Sequence, residues 1–194
     1  MRIVLLGPPG SGKGTQAGML RERLDVAHIS TGALLRDAVR DETELGRKAR
    51  EYMDAGELVP DDLMLGLIEE RLGADDVANG FILDGYPRNL AQAEALDTVL
   101  ERIGQPVDVA ISVVVDEGEV VQRLSRRAVE EGRSDDTEEV IRNRLRVYGE
   151  QTAPVAGHYA RRGQLREVDG MGSVEDVHRR MRNALDSVDA PADR

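Results

Sequence analysis

Apolar residues fall along this chain in short, nearly unbroken runs, separated by longer stretches with helical spacing. The runs predict β-strands at 2–6, 27–29, 81–83, 107–115 and 165–168. Their continuity fits strands covered on both faces, as in a parallel sheet, because a sheet with one wet face alternates apolar and polar positions instead. Helical periodicity links the runs. Ala17, Leu20 and Leu24 share one face, as do Leu96, Val99, Leu100 and Ile103, and Ser173 is a suitable N-cap for a last helix running toward Val188. Strand and helix in alternation predict an α/β fold with a five-stranded parallel sheet flanked by helices.

Two stretches interrupt the alternation. Residues 30–59 carry two short helical patterns between consecutive strands and end at Gly56 and Pro60. Residues 126–134, RRAVEEGRS, are polar and lie between two long helices. After them, Asp136-Thr137-Glu138-Glu139 has the D-x-x-E form of a capping box, with Asp136 as the cap. Both stretches are candidates for moving flaps.

The chain has 194 residues, enough for one well-buried domain with small insertions. It lacks cysteine, which excludes disulfides and cysteine-ligated zinc, and Phe81 is its only phenylalanine. The opening MRIVLLGPPG turns glycine-rich too early for a secretory leader, and no run is long enough to span a membrane, so a cytoplasmic protein is expected. Net charge is −11, which disfavours broad binding to nucleic acid or anionic lipid. Of 26 basic residues only Lys13 and Lys48 are lysines. Any polyanionic ligand therefore needs positive charge gathered in one place. His28, His158 and His178 are too dispersed for a metal site and read as structural or surface residues.

Gly7-Pro8-Pro9-Gly10-Ser11-Gly12-Lys13-Gly14-Thr15 follows the first strand and opens an amphipathic helix, the context of a P-loop. Its glycines let backbone N–H groups turn toward phosphate oxygens, the helix N-terminus adds partial positive charge, and Lys13 reaches the distal phosphates. Gly14, not Ser or Thr, follows the lysine, and no N-K-x-D guanine-reading motif occurs, so a GTPase is disfavoured. After the second strand, Ser30 and Thr31 are either a helix N-cap or ligand contacts, Gly32 permits close backbone approach, and Arg36 lies one turn on. The third strand leads into Asp84-Gly85-Tyr86-Pro87-Arg88, with Gln92 a turn further. Asp84 then belongs at the carboxyl end of the strand, where ligands collect in open α/β sheets, unless it is only a turn aspartate.

The segments GPPGSGKGTQ, STGALLR, GELVPD, LDGYPRNLAQ, GRSDDTEEVIRNRL and VYGEQTAPV resemble the motifs of adenylate kinases, in that family's order and over virtually the whole chain. The resemblance implies a P-loop core of residues 1–29, 60–125 and 135–194, an AMP-binding segment at 30–59, and a short, zinc-free lid at 126–134. It implies that ATP, AMP and ADP are the ligands and that Mg²⁺ is held through water and phosphate, with Asp84 in its outer sphere. Gly10, Ser11, Gly12, Lys13, Gly14 and Thr15 would hold ATP, with Arg123 stacked on its adenine and Gly172 at the base edge. Thr31, Gly32, Arg36, Gly85 and Arg88 would hold AMP, and Glu57, Leu58, Val59 and Gln92 would frame its base. Arg127, Arg133 and Arg144 would close over the transferring group beside Lys13, Arg88 and Asp84, with Arg126 competing for the place of Arg127. The family also implies a monomer. A pyrimidine monophosphate kinase, a GTP donor, and a nucleotide-binding module without catalysis are the alternatives on the residues alone.

Overall fold

The computed structural model describes residues 1–131 and 136–189. Five strands, β1 (Arg2–Leu6), β2 (Ala27–Ser30), β3 (Phe81–Asp84), β4 (Val109–Val114) and β5 (Leu165–Asp169), form one parallel sheet in the order β2-β3-β1-β4-β5. Each expected strand is present within two residues of its expected ends. The runs are continuous because the strands are covered on both faces. Val4 and Leu6 of β1 join one apolar layer with Ile29, Leu83 and Ala110. Ile3 and Leu5 point the other way and join Ile82, Val109, Ile111 and Val113. Burying each such side chain contributes roughly 1.5–3 kcal/mol.

Helices close both layers. Ala17 and Leu20 of α1 (Lys13–Leu24) and Met181 and Leu185 of α9 (Val174–Asp189) cover the second face. The first is covered by Ile68 of α4 (Asp61–Leu72), Leu96 and Leu100 of α5 (Leu90–Arg102), and Tyr159 of α8 (Val155–Arg161). Ile103, expected on the apolar face of α5, caps that helix instead and is 40% exposed. Ser173 Oγ accepts from Asp176 N at 3.1 Å, the cap expected for α9. No helix among the described residues is long and apolar enough to cross a membrane.

The two interruptions take different forms. Residues 30–59 contain α2 (Thr31–Arg40) and α3 (Glu44–Ala55), packed as a helical hairpin. Residues 126–131, by contrast, continue α6 (Glu117–Glu131), since no glycine or proline falls in that stretch to stop the helix. Residues 132–134 lie outside the described residues. The capping box is corrected in its register. Thr137, not Asp136, caps α7 (Glu138–Val147), its hydroxyl accepting from Val140 N at 3.4 Å. The carboxylate of Asp136 is held by arginines instead.

Candidate active site

The chain order places β2 and β3 on one side of β1 and β4 and β5 on the other, so the crevice opens at the carboxyl end of β1. There the loop from Gly7 to Gly12 turns into α1. Gly10 and Gly12 have φ of 79° and 88°, in the left-handed region that glycine adopts without a steric cost. Gly12 is the N-cap of α1 and offers no side chain to the helix, which leaves its first N–H groups for an anion. Lys13 Nζ donates to Gly7 O at 2.7 Å and Pro8 O at 2.9 Å, holding the loop closed on itself. Burial, together with Arg88, Arg144 and Arg127, outweighs Asp84 and pushes the Lys13 ammonium down to about 8.

Register carries the other strand ends to the same place, with Asp84 paired to Leu5 of β1 and Ser30 of β2. Asp84 is the last residue of β3, as expected. A Cβ on Gly14 would lie 3.4 Å from its Oδ2, and His28 Nε2 lies 3.5 Å from the same oxygen. Burial pushes this carboxyl up, but His28 and Lys13 together hold it below the usual range. His28 thus faces the crevice, a position that its isolation in the sequence did not reveal. A polar residue alternating with buried Ala27 and Ile29 at a strand end was the available signal.

Ser30 caps α2, accepting from Ala33 N at 3.4 Å, which settles one of the two readings of that pair. Thr31 is fully buried, and its hydroxyl donates to Gly85 O at 2.9 Å. It lines neither cavity and ties the start of α2 to the turn after β3. A Cβ on Gly32 would lie 3.1 Å from Arg36 Nη1, so the missing side chain is what lets this guanidinium settle against the helix. Arg88 Nε donates to Gly85 O at 2.7 Å, and Thr152 Oγ1 donates to Arg88 O at 2.7 Å.

On the opposite wall Arg123 donates to Glu119 at 2.7 Å and to Gly170 O at 3.2 Å. It thereby adjoins the loop that contains Gly172, which itself lines neither cavity. Arg127 makes a bidentate pair with Asp136 at 2.6 and 2.8 Å, and Arg144 Nη1 reaches the same carboxylate at 2.7 Å. Arg126 is exposed and turned away, so Arg127 is the member of that pair at the crevice. Arg133 lies outside the described residues. The crevice holds about 710 Å³, and among the described residues Lys13, Arg36, Arg71, Arg88, Arg123, Arg127 and Arg144 line it against only Asp84 and Glu130. A protein of net charge −11 has concentrated cations here. An adjoining cavity shares Gly32, Arg36, Gly56, Leu58, Arg88 and Arg144 with it and adds Glu57, Val59 and Gln92 to its lining.

The chain matches the adenylate kinase family over residues 5–164. It is 55% identical to an adenylate kinase of Stenotrophomonas maltophilia (strain K279a) over 95% of this chain and 99% of that protein. The adenylate kinases of Xanthomonas campestris pv. campestris (strain B100) and Xanthomonas euvesicatoria pv. vesicatoria (strain 85-10) are 55% and 56% identical over the same shares. The chain belongs to the adenylate kinase family. It is accordingly a nucleoside-monophosphate kinase, and its reaction is the reversible transfer of a phosphoryl group from ATP to AMP, giving two ADP. Within the adenylate kinase fold, the larger crevice and the adjoining cavity meet at Arg36, Arg88 and Arg144.

Proposed function

We propose that this enzyme binds ATP along the loop of Gly10, Ser11, Gly12, Lys13, Gly14 and Thr15, with Arg123 stacked on its base and the backbone near Gly172 at the base edge. AMP then lies in the adjoining cavity, its phosphate gripped by Arg36 and Arg88 and its base framed by Glu57, Leu58, Val59 and Gln92. Thr31, buried behind the cavity, holds the Gly85 turn in place through its hydrogen bond to Gly85 O. The observation that carries this reading is the gathering of seven cations, among the described residues, round one crevice in an acidic protein.

The acceptor is a phosphate oxygen, whose second pKa is about 6, so it is already anionic near neutral pH and needs no general base. What the chemistry requires is that two polyanions be brought in line and that charge on the moving group be stabilised. Arginine suits this work because its planar fork holds phosphate in a bidentate way and stays charged. Arg36 and Arg88 orient the acceptor, and Lys13, Arg127, Arg144 and Arg133 surround the group in transit. Segments 30–59 and 126–134, acting as flap and lid, exclude water, the competing acceptor.

Mg²⁺ fits the donor set. Asp84 is a single carboxylate beside the phosphate loop, suited to an ion held mainly by water and phosphate oxygens, and no cluster of three or more His, Cys, Asp or Glu occurs among the described residues. When bound with ATP, the ion supplies charge neutralisation on the phosphates. One chain brings both halves of the crevice together, which supports a monomer, working in the cytoplasm among its nucleotide substrates.

The test is an assay without any added triphosphate. ADP and Mg²⁺ alone should yield ATP and AMP in equal amounts. In the forward direction AMP should exceed CMP and UMP as acceptor by at least about a hundredfold in kcat/KM. Failure of ADP to disproportionate, or a pyrimidine preference, would refute the assignment.

A further inference from the structure

Gln92 is 2% exposed, and both ends of its amide are engaged. Its Oε1 accepts from the Arg88 backbone N–H at 2.7 Å, and its Nε2 donates to Asp61 Oδ1 at 2.7 Å. A backbone N–H can only donate and an ionised carboxylate can only accept, so the two contacts admit one orientation of the amide. Asp61 stands in the first turn of α4, and its carboxylate lines neither cavity. Asn89 holds it in place, donating from Nδ2 to Oδ1 at 3.0 Å and to Oδ2 at 3.3 Å. The same Asn89 accepts from Gln92 N at 2.8 Å, so the three side chains form a closed set across the starts of α4 and α5.

We propose that Asp61 sets the base preference of the acceptor site by fixing which way round the Gln92 amide faces. This rests on reading the cavity of Glu57, Leu58, Val59 and Gln92 as the base site. In its fixed orientation the amide retains one acceptor site on Oε1 and one N–H on Nε2. Adenine presents the complement, an exocyclic amine that donates and a ring nitrogen, N1, that accepts. Hypoxanthine and guanine present the reverse, a 6-oxo acceptor and an N1–H donor. Only a flipped amide can serve them, and flipping sets a donor against the Arg88 N–H and an acceptor against the Asp61 carboxylate. Asp61 is therefore a positioning residue, acting on the substrate through Gln92. Because a site that leaves buried polar groups unmatched rejects a ligand strongly, its discrimination should depend on the lock.

Steady-state kinetics with AMP and inosine 5′-monophosphate as acceptors test this in the wild-type enzyme and in Asp61→Ala, Asp61→Asn and Gln92→Ala. In Asp61→Ala, KM for AMP should rise about tenfold with kcat within about twofold, and the AMP-to-IMP ratio of kcat/KM should narrow by about tenfold. Asp61→Asn, whose amide oxygen can still accept from Nε2, should restore both to within about threefold. An unchanged AMP-to-IMP ratio in Asp61→Ala, with or without a change in KM, would overturn the proposal. If Gln92→Ala itself left KM and the ratio untouched, the base site would lie elsewhere, and the failure would belong to that prior reading.

Discussion

At the scale of single residues the sharpest feature is a lysine held close to losing its proton. Lys13 is pushed down to about 8, first by burial and then by Arg88, Arg144 and Arg127, with only Asp84 opposing. Triphosphate oxygens favour the ammonium, so binding raises this pKa above its value in the free enzyme. The sign follows. Below pH 8 the lysine is already charged and binding moves no proton. Above pH 8 the free enzyme must take one up, and affinity falls by up to about tenfold per pH unit. Calorimetry of a non-hydrolysable ATP analogue, in buffers of different ionisation enthalpy, should find uptake of close to one proton at pH 9 and almost none at pH 7. Lys13→Met should abolish the difference. No uptake at pH 9 in the wild-type protein would mean that Lys13 does not meet the phosphates. Residues of this kind were legible in the sequence because spacing in the P-loop fixes their place. Asp136 was not. Beside Thr137 and Glu139 it reads as a helix cap, and only the fold brings Arg127 and Arg144 onto its carboxylate. His28 was hidden for the same reason, since its neighbour Asp84 lies 56 positions away in sequence and beside it in the sheet.

At the scale of elements, what the sequence showed best were segments whose burial is complete. Strands covered on both faces leave unbroken apolar runs, and all five were read to within two residues. Polar segments gave less. RRAVEEGRS differs from a loop only in lacking a breaker before residue 132, and its first six residues extend α6. The α2–α3 hairpin was visible as two helical patterns, but the tightness of its packing was not. A Cβ on Gly46 would lie 2.0 Å from Ala38 O and 2.2 Å from Ala38 C, so the two backbones meet where only glycine fits. Thr43 reinforces the contact, its N–H donating to Ala38 O at 3.1 Å while its hydroxyl caps α3 through Gly46 N at 3.0 Å. Gly46→Ala must therefore pry α2 from α3, at a cost of about 1–3 kcal/mol by comparison with overpacked cores. Leu35 and Ala49 are buried in this hairpin and Arg36 is carried by it, so the damage should fall on the acceptor side. KM for AMP should rise about tenfold or more while the Kd for an ATP analogue changes less than twofold. Equal losses on both sides would show that the hairpin is no separate flap.

For the whole molecule the question is how two sites on different elements are made to act together. The end of the hairpin already rests on α7. Asn143 Nδ2 donates to Ala55 O at 2.7 Å and to Glu57 Oε1 at 2.8 Å, and Arg146 reaches the same carboxylate at 3.3 Å. On the other flank Asp136 ties Arg127 of α6 to Arg144 of α7. Arg144 lines both cavities, so a ligand in either one acts on the same guanidinium. A single compound that joins two adenosines through a phosphate bridge should bind both halves at once and order α2, α3, α6 and α7 together. The cations it meets are concentrated within a chain of net charge −11, and this lowers the cost of bringing the two phosphate groups close. Hydrogen exchange monitored by mass spectrometry should slow in all four helices with the double mimic, and with AMP alone in α2, α3 and α7 but not in α6. The midpoint of thermal unfolding should rise with compound concentration, the stabilisation growing by about 1.4 kcal/mol for each tenfold excess over Kd. Protection confined to α2 and α3, or to α6 and α7, would mean that the two phosphate-binding halves are occupied independently. The cationic crevice would then be two sites side by side rather than one place where phosphate passes from donor to acceptor.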